Sequence, residues 1–104
     1  MAPDITDYSA MKNAVDEVAA RFGKLDILVN NAGISAREPL AQYDPEAFKK
    51  IMDLNVTAVF NGCKAAAEHM REHGGSIINT SSMVSIYGQP SGVGYPTSKF
   101  AVNG

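Results

Sequence analysis

Apolar residues recur at steps of three and four along Met11, Ala14, Val15, Val18, Ala19 and Phe22, which predicts one face of an amphipathic helix. Ser9 is placed to cap its start, and Gly23, followed by Lys24, stands where a left-handed residue ends a helix. The period then changes. Leu25 to Asn30 (LDILVN) is a short apolar run between glycine-containing segments and predicts a buried strand, followed by a loop to Tyr43. Asp44-Pro45 joins a capping carboxylate to a proline suited to the first helical position. Helical spacing runs through Phe48, Ile51 and Met52 and resumes from Val56 to Met70, with Asn55 near the join and Gly74-Gly75 past the end. Ser76 to Thr80 (SIINT) predicts a second buried strand, Ser81 to Gly94 a loop, and a further helix begins near Tyr95. Proline disfavours helical geometry in the residue before it, so Tyr95 is expected at the cap and Pro96 in the first turn.

Helices alternating with near-continuous apolar strands imply an α/β fold with a parallel sheet covered on both faces. Two strands leave edges and cannot bury both faces of a sheet, and the last helix has no stop signal. The pattern therefore reads as the middle of a larger α/β domain, truncated at both ends.

Composition narrows the function. The chain has 104 residues, 45% hydrophobic and 19% charged, with nine basic against eleven acidic side chains. That balance gives no electrostatic footprint for nucleic acid or an anionic membrane. A single cysteine, Cys63, excludes an internal disulfide framework and an all-cysteine metal site. The longest charge-free stretch, Gly74 to Ser98, is rich in Gly, Ser, Asn, Thr and Pro rather than continuously apolar. Acidic residues and Lys12 interrupt the N-terminus, so no signal segment is legible and a cytoplasmic protein is expected.

The sharpest chemical constellation is Tyr95 and Lys99, four apart on one helix face, with Ser82 upstream. An ammonium beside a phenol favours the phenolate, and a tyrosine so tuned exchanges a proton with an alcohol or carbonyl oxygen. A nearby serine hydroxyl bonds the same oxygen as charge develops on it. Alone, this pattern is weak and better describes a tyrosine and a surface lysine at an ordinary helix start.

Three further blocks accompany it: Asp4-Ile5-Thr6, Asn30-Asn31-Ala32-Gly33 at the end of the first strand, and Leu54-Asn55-Val56 in the long helix. In this order and spacing, with thirteen residues from Ser82 to Tyr95, the chain resembles the short-chain dehydrogenase/reductase family from Asp4 to Gly104. The resemblance implies the central part of a single domain, residues 1–104, with a partial Rossmann-like, doubly wound, three-layer parallel sheet. The glycine-rich turn before it and the substrate region after it would lie outside these residues. It implies an oxidoreductase using NAD or NADP on a small ketone or secondary alcohol, with 3-oxoacyl-carrier-protein reduction as the leading substrate reading.

The resemblance also assigns roles. Tyr95 would be the acid/base, Lys99 would support it and hold the nicotinamide ribose, and Ser82 would polarise the carbonyl. Asn55 would hold a water in a relay from Lys99 to solvent. Asn31, Ala32 and Gly33 would lie under the adenosine half of the cofactor, with Gly33 allowing close backbone approach. Asp4, with Ile5 beside it, would meet the adenine. The asparagines also have an architectural reading, tying the strand end to neighbouring backbone. The whole protein would be a homo-oligomer, with the helix spanning Leu54 to Ala67 and the helix after Tyr95 as contact surfaces. The alternative is a non-catalytic truncated remnant that at most dimerises. The isolated chain is expected neither to fold stably nor to turn over cofactor.

Other motifs carry less. Gly88, Gly92 and Gly94 have the spacing of a phosphate loop but follow no strand directly. Ser9-x-x-Lys12 lacks the partner motifs of serine acyl enzymes. His69 and His73 share a helix face without an evident third ligand, so no metal site is assigned. Cys63 reads as a packing thiol on an alanine-rich helix.

Overall fold

The computed structural model describes residues 2–104. Their elements run α1 (Tyr8–Phe22), β1 (Ile27–Asn30), a 3₁₀ turn (Leu40–Gln42), α2 (Pro45–Met52), a π-helical turn (Asp53–Thr57), α3 (Ala58–Met70), β2 (Ser76–Asn79), α4 (Val84–Tyr87) and α5 (Gly94–Asn103). The strands pair in parallel, with Ile27 opposite Ser76 and Asn30 opposite Asn79. This is the helix–strand alternation expected of an α/β protein.

Helix α1 packs along α3. Met11 and Val15 meet Ala65 there, with Ile5, Tyr8 and Leu25 closing the cluster. Ala19 continues the buried stripe, as the spacing requires, whereas Phe22 on the same stripe is exposed past the edge of that contact. The cap is Asp7 rather than Ser9: its carboxylate accepts from the Ser9 N–H at 3.1 Å. Gly23 ends the helix in the left-handed region, as expected. Asp44 and Pro45 open α2 as the sequence indicates, with the Asp44 carboxylate accepting from the Glu46 N–H at 3.0 Å.

Both strands differ from the buried runs expected of them. Asn30 and Asn79 face α3, and the Asn30 amide lies 3.6 Å from the Cys63 sulfur. Alternation then puts Ile27, Val29 and Ile78 on the opposite face, where they are 54–61% exposed. No described helix covers that face. Residues 2–104 therefore contain the sheet and one of the two layers a parallel sheet needs. The chain is correspondingly elongated: its radius of gyration is 15.3 Å, against about 13 Å for a compact domain of this length.

Three local departures shape the site. The long helix does not break at Asn55 but widens into a π turn over Asp53–Thr57, a form that inserts one residue into the ladder. The segment between Ser81 and Gly94, expected as loop, contains the short α4. Helix α5 starts at Gly94, so Tyr95 lies within the first turn instead of at the cap. Proline's missing N–H costs nothing there, because first-turn N–H groups have no intrahelical acceptor.

Candidate active site

The π turn points Asn55 away from its own helix and into the space between β1 and α5. Its side chain is fully buried. The amide oxygen accepts from the Ile34 N–H at 2.9 Å, and the amide nitrogen donates to the Ile34 carbonyl at 2.9 Å and to Ser98 Oγ at 3.0 Å. Ser98, also fully buried, donates in turn to the Tyr95 carbonyl at 2.7 Å. A buried amide with this many partners is a fixed strut. It ties the loop after β1 to the first turn of α5 and so sets where Tyr95 sits.

Lys99 follows one turn after Tyr95. It is 3% exposed, and its ammonium donates to the Thr80 carbonyl, at the end of β2, at 2.9 Å. The same ammonium lies 5.7 Å from the centre of the Tyr95 ring, within cation–π reach. A buried lysine held by a single carbonyl keeps two N–H donors for other acceptors. Gly33 lies beside both groups: a Cβ there would stand a tight 3.3 Å from Asn55 Oδ1 and an ordinary 3.6 Å from Lys99 Nζ.

Ser82 is half-buried on the segment after β2, its hydroxyl accepting from the Val84 N–H at 3.3 Å. Neighbouring polar side chains pin this segment to α5. Ser81 Oγ donates to Asn103 Oδ1 at 2.7 Å, and Asn103 Nδ2 donates to Ser85 Oγ at 2.9 Å. A cleft of about 490 Å³ opens above these groups, lined in part by Asn31, Gly33, Ser82, Tyr95 and Lys99. Five of the anticipated site residues thus meet in one place. Asn55 lies beneath its floor.

The remaining anticipated residues sit elsewhere. Ile5 and Ala32 line a smaller apolar cleft of about 150 Å³ that shares Asn31 with the first. Asp4 lies on a third depression with Thr6, Glu46, Lys49 and Asp53. Its carboxylate is engaged by the Thr6 hydroxyl at 2.7 Å and the Thr6 N–H at 3.0 Å. Those bonds, the hydroxyl's first, hold it below the usual carboxylate range. The asparagine pair bonds across the sheet to side chains rather than to backbone. Asn30 Nδ2 donates to Asn79 Oδ1 at 2.8 Å, and Asn31 Oδ1 accepts from Thr80 Oγ1 at 2.8 Å. Both asparagines therefore lock the register of the two strand ends that carry the cleft.

Ser98, Thr80 and the Ile34 backbone were not singled out by the sequence. Their one signal is position: Ser98 is three residues after Tyr95, the spacing at which a helical serine reaches back to a carbonyl. His69, by contrast, pairs with Asp16 at 2.7 Å across α1 and α3, far from the cleft in the chain. Among the described residues, no group of three or more His, Cys, Asp or Glu side chains is arranged to hold a metal ion, and no helix is long and apolar enough to cross a membrane.

Comparison with known proteins shows the family and the fold. A family model described as short chain dehydrogenase matches residues 1–104. The 3alpha-hydroxysteroid dehydrogenase of Mediterraneibacter gnavus is 60% identical over 103 residues, which are 98% of this chain and 41% of that protein. A 3-oxoacyl-[acyl-carrier-protein] reductase of Thermotoga maritima is 36% identical over 102 residues, 97% of this chain and 42% of that protein. The structure of NAD+-bound xylitol dehydrogenase superposes with a TM-score of 0.93 at 38% identity, over 98% of this chain and 40% of that one. The chain spans about two fifths of the length of the relatives it matches.

Proposed function

Because the chain belongs to the short-chain dehydrogenase family, we propose that residues 1–104 are the central, catalytic segment of one Rossmann-like domain in a nicotinamide-dependent oxidoreductase. Its substrate would be a secondary alcohol or the matching ketone. The observation that carries this reading is the convergence of Ser82, Tyr95 and Lys99 on one cleft, with the Lys99 ammonium buried beside the Tyr95 ring.

The residues suit a dinucleotide. Gly33 offers bare backbone where a Cβ would press on Asn55 Oδ1 from 3.3 Å and touch Lys99 Nζ at 3.6 Å. After bonding Thr80, Lys99 keeps two donors, enough for a ribose hydroxyl and a water. The cleft and the smaller apolar one adjoin at Asn31, giving a path along the strand end past Ala32 toward Ile5. Asp4 takes both Thr6 bonds on Oδ1 and would meet the adenine with its free Oδ2. The bound nicotinamide, whether of NAD or NADP, supplies or accepts the hydride.

The chain's own residues then handle position and the proton. Ser82 donates to the substrate oxygen and fixes it above Tyr95. Tyr95 gives its phenolic proton to that oxygen in reduction and takes it back in oxidation. The Lys99 charge stabilises the oxyanion left on Tyr95, an effect that strengthens out of bulk water. Asn55 Oδ1 retains one lone pair and faces the same point as Lys99 Nζ, so a water between them would link the lysine to solvent. The amide's main work is to hold Ile34 and Ser98.

The substrate is expected to be a cyclic or steroid-like secondary alcohol, on the strength of the 60% identical relative. A 3-oxoacyl thioester is the second reading, supported by the 36% identical reductase. The whole protein is expected to be a homo-oligomer. The experiment is Tyr95→Phe in the whole protein, assayed by nicotinamide absorbance with both cofactors against a panel holding hydroxysteroids and 3-oxoacyl thioesters. Turnover should fall by about 10²- to 10⁴-fold while cofactor still binds. Wild-type turnover of none of these, or unaltered turnover in the variant, would end the proposal.

A further inference from the structure

The cleft contains a second cation that this chemistry does not use. Its lining holds Lys99 and Arg37 and no carboxylate. Lys99 is buried and committed to Thr80 and the Tyr95 ring. Arg37 is exposed, and among the described residues no Asp or Glu carboxylate lies within ion-pair distance of it.

The backbone that carries Arg37 is nonetheless held firmly against the segment leading into α5. Gly92 packs there with φ at +72°, and a Cβ on it would stand 2.5 Å from the Ala36 carbonyl oxygen and 3.0 Å from Arg37 Cα. The Gly92 N–H donates to the Glu38 carbonyl at 3.2 Å, and the Tyr43 hydroxyl donates to the Ala36 carbonyl at 3.4 Å. A fixed backbone thus places Arg37, whose guanidinium has no carboxylate partner among the described residues, in the lining of the cleft with Gln89, whose amide is tied to the Ser91 and Gly92 carbonyls.

We propose that Arg37 is a specificity-determining residue that binds an anionic group, a carboxylate for choice, on the part of the substrate remote from the reacting carbon. A guanidinium fork matches a carboxylate in bidentate geometry. With two cations and no acidic group in its lining, the cleft raises the local concentration of an anion. This rests on the oxidoreductase reading. It extends that reading from the reacting carbon to the distal end of the substrate.

The test uses a matched pair, 4-oxocyclohexanecarboxylate and its methyl ester, reduced by the whole protein with saturating cofactor. The unsubstituted protein should prefer the acid in kcat/KM. Arg37→Gln should cut that preference by about 10- to 100-fold, chiefly through KM of the acid. Arg37→Lys should restore part of it, because the charge returns without the fork. The preference should also shrink as salt is raised. A wild-type protein indifferent to the carboxylate overturns the proposal. So does a variant whose KM rises for the cofactor rather than for the acid, which would assign Arg37 to the cofactor phosphates. Turnover of the ester with no role for Arg37 leaves the oxidoreductase reading standing, whereas turnover of neither compound nor of the wider substrate panel ends both.

Discussion

Replacing Asn55 with alanine would remove one amide and strand the partners of three hydrogen bonds. The Ile34 N–H and carbonyl lose bonds of 2.9 Å each, and Ser98 Oγ loses an incoming donor at 3.0 Å. A buried polar group left unpaired costs about 1–3 kcal/mol. Ile34 is half-buried, so water recovers part of its loss and the low end applies to each of its two groups. Ser98 is fully buried but keeps its bond to the Tyr95 carbonyl, which again favours the low end. The expected loss is therefore about 3–4 kcal/mol, a large share of the roughly 5–15 kcal/mol that holds a domain folded. The assay is urea unfolding of the whole protein followed by far-UV circular dichroism, with amide exchange read at Ile34. Exchange at Ile34 should accelerate by more than the global loss of stability explains. A double cycle with Ser98→Ala should show coupling of about 1 kcal/mol. A loss below about 1 kcal/mol, or an Ile34 amide as protected as before, would refute the strut.

Other outcomes follow from the same contacts. Gly33→Ala should destabilise by about 1–3 kcal/mol and reduce turnover, because its methyl would press on Asn55 Oδ1 from 3.3 Å; unchanged unfolding and kinetics would count against the close approach. Between α1 and α3, bonds from Lys12 first and His69 second hold Asp16 below its usual range. A carboxylate with a depressed folded-state value adds stability above its unfolded value of about 3.9, and that stability is lost as pH falls through the folded one. Asp16→Asn should therefore lower the melting temperature near neutrality, with the gap to wild type closing in strong acid; a constant gap would show that the link is not electrostatic. A chain of residues 1–104 alone should show no cooperative thermal transition, given the exposed Ile27, Val29 and Ile78 and the elongated shape. A sharp calorimetric peak from that chain would contradict this.

The local signals in the sequence were strong where a single residue carries the whole physical reason. Asp44-Pro45 opens a helix because a carboxylate caps free N–H groups and proline needs no donor there. Gly23 ends one because it alone accepts the left-handed turn without strain. The Tyr95–Lys99 spacing put both side chains on one helix face, and the family resemblance named the remaining blocks. Where two residues compete for one task, the sequence could not choose. Asp7 and Ser9 are both capping types, and the geometry of the preceding turn selected Asp7.

The tertiary structure alone decided the rest. Asn55 in sequence is a polar residue at a helix join; only the π turn and the proximity of Ile34 make it a strut between a loop and α5. Ser98 is an ordinary helical serine until Asn55 arrives from 43 positions away. Ile27 and Val29 read as buried, and alternation could not say which face has a covering helix. Arg37 became conspicuous only when Gly92 set its backbone against a cleft without carboxylates. Periodicity, capping and turn chemistry act over a few residues, so one sequence specifies them. Burial, pairing and the company a charge keeps depend on segments distant in the chain, and those exist only once the chain has folded.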